Sequence, residues 1–290
     1  KTSKTGYNVK GGLSLTMAEG NTIFLNAGYN SRQPYLDNIF NRNRGFITEL
    51  VSPAVENEKI TSFEAGYQFK ANNFRSNFNA YLTNWTDRTL SSFGQDDNGT
   101  PSDETDDFDL TILQRGVTQY HSGAELDVRY RATDWLSFKG FISAGSWTYK
   151  GEAVVSIYNA DTNEQIGETS TVNRDGIKIS TAPQFTAGMG FDAKIMSGLS
   201  IDARIKYNDN HYRFTNENTS LVDYKGEQLA SYALTNAGIT YRFSLGNSNK
   251  MTFRANMFNV FDKVAIQQED RFGYFTTGGR TFNASMRYEF

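Results

Sequence analysis

The chain has no cysteine, only two histidines, no surplus of positive charge and no long apolar run. Without cysteine there are no disulfides, no thiolate nucleophile and no Cys-based metal site. A net charge of -3 gives no basic field of the kind that holds nucleic acid. No stretch approaches the roughly 20 apolar residues of a membrane helix. Mean hydropathy is -0.56 and only 38% of residues are hydrophobic, so a hydropathy scan reads a soluble chain of one large or two ordinary domains. Aromatics, by contrast, are abundant: 14% of the 290 residues, with 22 Phe and 16 Tyr.

Their placement follows a period of two. In Thr281–Phe290, Phe282, Ala284, Met286, Tyr288 and Phe290 share one face, while Asn283, Ser285, Arg287 and Glu289 share the other. An apolar face carrying bulky aromatics, backed by a charged face, suits a wall between lipid and a wet lumen, because a membrane strand needs only alternate residues to be apolar. The same alternation recurs from Tyr7 to Met17, Ile23 to Tyr29, Thr61 to Phe69, Phe78 to Leu82, Ala124 to Tyr130, Leu136 to Phe138, Phe185 to Ile195, Leu199 to Tyr207, Ala237 to Phe243 and Phe253 to Met257. The templates predict about eleven strands and no helix.

The connections alternate in length. Short turns rich in Gly, Asn and Asp fall at 18–21, 71–73, 132–134, 196–198 and 246–249, and such residues tolerate the positive φ of tight hairpins. Between them lie long polar stretches at 33–57, 94–109, 151–178, 213–228 and 267–277. Sorting of this kind is expected of an outer-membrane barrel with short periplasmic turns and long external loops, and a β-sandwich has no reason for it. Aromatics gather beside the short turns (Tyr67, Phe69 and Phe74; Tyr130, Trp135 and Phe138; Tyr241, Phe243 and Phe253), as an interfacial girdle would, although aromatics are also good strand formers. Single-chain bacterial barrels are even-stranded, so an odd count implies strands upstream, and eleven is half of the twenty-two in the large plugged transporters. An outer-membrane protein carries a signal peptide; none is visible at Lys1–Thr5, which is expected if the chain is a mature fragment.

Ser31-Arg32-Gln33-Pro34-Tyr35-Leu36-Asp37-Asn38-Ile39-Phe40, Val55 to Tyr67, Asn79 to Arg88, Asn259 to Lys263 and Gly279 to Phe290 form an ordered set that resembles TonB-dependent outer-membrane receptors. The first is similar to the segment that opens an external loop in that family. Val55 to Tyr67, ending Glu64-Ala65-Gly66-Tyr67, resembles its Glu-x-Gly-Tyr stretch, and Asn79 to Arg88 the up-strand that follows. Asn259-Val260-Phe261-Asp262-Lys263 looks like the family's Asn-Leu-Phe-Asp-Lys element, and Gly279 to Phe290 like its closing strand. In that strand Phe282, Tyr288 and Phe290 resemble the signal read by the barrel assembly machinery. The Asn-, Lys- and aromatic-rich style resembles receptors of the Bacteroidota.

The resemblance implies an all-β, transmembrane antiparallel barrel, with residues 1–290 forming the C-terminal half of a roughly 22-stranded plugged barrel domain. Plug and N-terminal strands are not in this chain. It also implies a bacterial outer-membrane location among lipid, energised uptake of a chelated metal, vitamin, oligosaccharide or peptide, coupling to the TonB complex through an N-terminal region, and in one branch a surface lipoprotein partner. No cofactor, nucleic-acid partner or enzymatic activity is expected.

Site candidates follow from residue chemistry. Tyr35, Tyr158, Tyr212 and Tyr274, on aromatic- and amide-bearing loops, are candidate substrate contacts. Glu64, Lys70, Glu125, Asp127, Arg129, Asp192, Asp202, Arg204 and Arg254 are among the lumen-side charges, which line a path or bond to a plug and water. Asp96, Asp97, Asp103, Asp106 and Asp107 crowd one loop and are weak calcium candidates; their spacing is not that of an EF-hand loop, and a solvated acidic loop accounts for them. His121 and His211 accompany no nucleophile motif. Two other classes fit the same residues: a receptor-like barrel serving as a scaffold subunit in a larger outer-membrane complex, and a soluble β-sandwich binding module.

Overall fold

The computed structural model describes residues 3–43, 46–51, 54–102, 104–213, 226–246, 249–270 and 273–290. In chain order the elements are β1 (Tyr7–Ala18), β2 (Asn21–Arg32), α1 (Leu36–Ile39), β3 (Phe40–Asn43), β4 (Phe46–Leu50), β5 (Glu58–Lys70), β6 (Phe74–Asp96), β7 (Phe108–Arg131) and β8 (Leu136–Lys150). They continue with β9 (Glu152–Asn159), β10 (Gln165–Asn173), β11 (Phe185–Met196), β12 (Leu199–Asp209), β13 (Tyr232–Leu245), β14 (Asn249–Phe258), β15 (Ile266–Asp270), β16 (Gly273–Thr276) and β17 (Thr281–Glu289).

Eleven of these strands make one continuous antiparallel wall in the order β1-β2-β5-β6-β7-β8-β11-β12-β13-β14-β17. It is an open arc, because β1 and β17 each pair on one side only among the described residues. The period of two fixes which face each residue takes. Leu25, Ala65 and Ala80 are opposite one another across three strands, and so are their neighbours Asn26, Glu64 and Tyr81 on the other face.

The apolar face is uncovered: Leu13 is 76% exposed, Met189 65% and Phe282 71%. A sandwich would press such a face against a second sheet. The single sheet with bare aromatics overturns the β-sandwich alternative. Outward residues on β12 run from Leu199 to Tyr207, nine residues, the length a tilted strand needs to cross a bilayer. At the short-turn end Phe69, Phe74 and Tyr130 touch in sequence across β5, β6 and β7, with centroids 5.9 and 6.4 Å apart. Tyr241, Phe243 and Phe253 do the same on β13 and β14 at 5.5 and 6.0 Å, and Tyr288 lies 6.1 Å from Phe290. Aromatic rings at this level form the girdle of a membrane wall.

The long connections differ from the polar loops expected of them. β6 and β7 extend past the wall, β6 as far as Asp96 and β7 from Phe108, so both ends of the 94–109 stretch are strand and 97–107 connects them. β9 pairs with that extension of β7 (Leu110↔Asn159 to Arg115↔Val154), and β10 pairs with β9. Two further hairpins, β3–β4 and β15–β16, and the four-residue α1 occupy other loops. Between these pieces sits a small core of Val51, Val55, Leu113 and Tyr158.

Candidate functional site at the loop end of the inner wall

Arg32 ends β2 and Glu58 begins β5, and the register sets them directly opposite each other on the polar face. Trp85 follows on β6. Immediately after it the ladder shifts register, and Asp87 takes a positive φ of 57°. This bulge turns Arg88 back over the Trp85 ring, 4.0 Å from its centroid, while Arg32 covers the same ring at 5.2 Å. Glu58 is 1% exposed and serves all three side chains: Arg32 Nη2 lies 2.9 Å from one oxygen, Arg88 Nε 3.8 Å from the other, and Trp85 Nε1 donates at 3.2 Å. Arg88 also donates to Gln119 Oε1 at 2.6 Å. A buried carboxylate persists only with such partners. With two guanidinium groups to one carboxylate, the cluster keeps one net positive charge.

A cavity of about 380 Å³ opens beside this cluster. Glu58 and Arg88 line it together with Tyr35, Asn38, Phe93, Thr111 and Tyr158. Asn38 Nδ2 donates to the Thr89 carbonyl at 3.0 Å and so ties the α1 segment to β6, and Arg32 lies 4.8 Å over the Tyr35 ring. A mixed aromatic and polar concavity of this size is the usual form of a small-ligand site.

Two of the four tyrosine candidates, Tyr35 and Tyr158, thus share one cavity. The other pair lies elsewhere. Lys178 Nζ is 5.9 Å from the Tyr212 ring, and Arg213 is 6.0 Å from the Tyr274 ring. Arg213 grips both oxygens of Glu269 (2.5 and 2.7 Å) and reaches Glu227 at 2.8 Å, which holds its proton more tightly than usual. Burial pushes the Tyr212 phenol above its ordinary pKa. His211 is buried, with Nε2 3.1 Å from the Ile266 carbonyl and its ring edge-on to Tyr232; His121 stacks on Trp147 at 5.6 Å.

In the acidic loop, Asp96 and Asp97 accept backbone N–H bonds from Asn98 and Gly99, while Asp106 accepts from Thr100 Oγ1 (2.8 Å) and Asn98 Nδ2 (3.1 Å). These bonds hold the Asp106 carboxyl below the usual carboxylate range. Asp107 lies in the same loop, and Asp103 lies outside the described residues. Among the described residues no three His, Asp or Glu side chains converge as a metal site.

Below the rim, Arg254 crosses the whole width of β13 to reach Asp202 (Nη2 to Oδ2, 3.0 Å), also donating to Thr240 and Asn256. It passes over Gly238, where a Cβ would stand 2.1 Å from its guanidinium. The Asn259 motif is a lock for the last loop. Asn259 has φ 49°; its amide donates to the carbonyls of Lys263 (2.9 Å) and Gly278 (2.8 Å) and accepts from Lys263 N–H, while Asp262 accepts from Arg280 N–H at 2.7 Å. Sequence reasoning missed the Arg32–Glu58–Arg88 cluster, whose members become neighbours only through strand register.

Residues 1–260 match the family described as TonB dependent receptor-like, beta-barrel. No curated protein sequence matches the chain. Among solved structures it is similar to the copper transporter OprC (TM-score 0.63, 15% identity, 94% of this chain and 38% of that one). It is also similar to the closed form of the ferric-catecholate import receptor Fiu from E. coli (0.64, 15%, 96% and 34%) and to the FrpB iron transporter from Neisseria meningitidis (0.64, 14%, 97% and 39%). At these identities the likeness is one of fold, and this chain spans 34% to 39% of those structures. The family match, together with a wall that is aromatic outside and charged inside, places the strands in the bacterial outer membrane: the chain belongs to the TonB-dependent receptor β-barrel family.

Proposed function

We propose that this chain forms part of the wall of a receptor that imports a scarce nutrient across the outer membrane with energy from the TonB complex. The observation that carries the reading is the family match over residues 1–260 on a sheet whose two free edges require further strands. Open edges do not persist in hydrocarbon, so β1 and β17 pair with the remainder of a barrel of about twenty-two strands. Ligand capture falls to the loop-end cavity, with Tyr35, Tyr158 and Arg88 as contacts and the rest of the Arg32–Trp85–Arg88 stack beside it. Inward displacement of a plug then opens passage along the polar face. The named neighbours handle copper, ferric catecholate and iron, which makes a chelated metal the first class to assay, ahead of vitamins, oligosaccharides and peptides. Phe282, Tyr288 and Phe290 serve assembly of the barrel.

The test is accumulation of radiolabelled nutrients in cells carrying the full-length protein, with and without a functional TonB complex. TonB-dependent accumulation supports the reading. A protein that co-purifies with partners at fixed stoichiometry, and takes up nothing, sinks it in favour of a scaffold subunit.

A further inference from the structure

The loop-end cavity is built on one face of the sheet that stands beyond the wall. Register sets Phe93 opposite Thr111 and Thr111 opposite Tyr158, across β6, β7 and β9. Ser91 is opposite Leu113 one pair closer to the wall. Alternate residues of a strand share a face, so these five point the same way, and all five line the cavity. Val51 closes it from the 33–57 stretch and packs in the same small core as Leu113 and Tyr158.

The polar groups on this cavity are short of an acceptor. Of the described residues that line it, only Glu58 carries a carboxylate, and Arg32, Arg88 and Trp85 already share it. Arg88 gives one N–H to Gln119, while its Nε, 3.8 Å from Glu58, has no hydrogen-bond partner among the described residues. Tyr158 is 8% exposed, and its Oη is unpartnered in the same sense. Buried polar groups are normally paired, so orphaned ones mark a place that a ligand group can complete. Two guanidinium groups against one carboxylate also leave one positive charge to be met.

We infer that the cavity binds a small monocarboxylic acid with an apolar body. Its carboxylate accepts from the Arg88 guanidinium and the Tyr158 hydroxyl, and its body lies against Phe93, Leu113 and Val51. The guanidinium fork matches a carboxylate, and one negative charge brings the cluster to neutrality. A phosphate monoester carries about -1.5 to -2 near neutral pH and leaves excess negative charge beside buried Glu58. A cationic ligand meets two guanidinium groups. The volume of about 380 Å³ equals about a dozen water molecules at roughly 30 Å³ each. A free acid of that size fits whole, whereas a chelate wrapped around a metal ion fits by one arm at most. The inference rests on the reading that this cavity captures the ligand, and it names the class captured.

The test is isothermal titration calorimetry on the full-length receptor in detergent at neutral pH, with a metal chelator present. The probes are hydrocinnamate, its neutral amide and inorganic phosphate. The expected result is one site for the acid, an affinity for the amide lower by about tenfold or more, and no displacement by phosphate. Tyr158→Phe removes an oxygen that has no partner in the free protein, so heat-modifiable migration is unchanged while the acid binds roughly tenfold more weakly. Arg88→Gln weakens the acid further; if that variant does not fold, Tyr158→Phe decides alone. Equal binding of acid and amide, displacement by phosphate, or no binding of the acid at millimolar concentration overturns the inference. So does an unchanged affinity in Tyr158→Phe, or binding that appears only when ferric ion replaces the chelator. Because binding is read without transport, a receptor that binds the acid and accumulates no nutrient counts against import alone.

Discussion

Asn283 and Ala284 are neighbours in β17 that point to opposite faces, and an arginine at each is expected to behave very differently. Ala284 is exposed on the apolar face, opposite Ala255 and one pair further into the wall than the Phe253 girdle. A cationic side chain on the lipid face of a barrel costs about 2–4 kcal/mol at the bilayer midplane and about 0–1 kcal/mol near the interfaces, so about 1–3 kcal/mol is expected between the two. Ala284→Arg should therefore lower the folded-to-unfolded ratio by roughly 5- to 150-fold. Asn283 is opposite Asn256 on the face that already carries Arg254 and Arg287, so Asn283→Arg should stay within about 0.5 kcal/mol, as for an ordinary surface substitution. The assay is equilibrium unfolding of the full-length receptor in lipid vesicles by urea, followed by heat-modifiable migration. Any effect on strand assembly is shared by the two variants, so the difference isolates the medium each side chain meets. Equal destabilisation, or a larger loss for Asn283→Arg, would refute the assignment of faces.

Three other outcomes follow from the local geometry. Glu58→Gln leaves Arg32 and Arg88 without their shared carboxylate; a loss of about 2–4 kcal/mol is expected, together with faster proteolysis in the 33–57 loop, and wild-type resistance would count against the cluster's role. Asn259→Ala removes three amide hydrogen bonds and puts a Cβ-bearing residue without a polar side chain at φ 49°, so about 2–4 kcal/mol of local stability should be lost, read as faster hydrogen exchange at Lys263. The Asp106 turn draws on a carboxyl whose pKa is depressed by folding, so its contribution is present above the ordinary carboxylate pKa of about 3.9 and disappears as pH falls through the lowered value. Thr100 and Asn98 signals should accordingly be unchanged from pH 7 to about 4 and shift only below it; a change near pH 6 would contradict that.

The wall was legible in the sequence because lipid on one side and water on the other impose a strict alternation, as at Phe63-Glu64-Ala65-Gly66-Tyr67. The extra-membrane strands were not, since there neither face meets lipid and polarity hides the pattern. Phe108, Leu110 and Ile112 still alternate, and Ala153 to Tyr158 is a short apolar run; both signals fall inside stretches that length and polarity mark as loop. The approach of Arg32, Glu58 and Arg88, and the pairing of Tyr35 with Tyr158, depend on strand register, which no local pattern encodes. Asn259 was recognisable by resemblance, and its hydrogen bonds give that resemblance a physical reason.

The central structural claim, a wall with lipid outside and water inside, is open to one decisive measurement. These 290 residues contain no cysteine, so single cysteines placed in turn from Thr61 to Gln68 of β5 in the full-length receptor can each carry a spin label. Labels at 62, 64, 66 and 68 should be relaxed by a water-soluble paramagnetic complex, and labels at 61, 63, 65 and 67 by dissolved oxygen in the bilayer, in strict alternation. A profile without a period of two, or one in which both sets meet water equally, would contradict it.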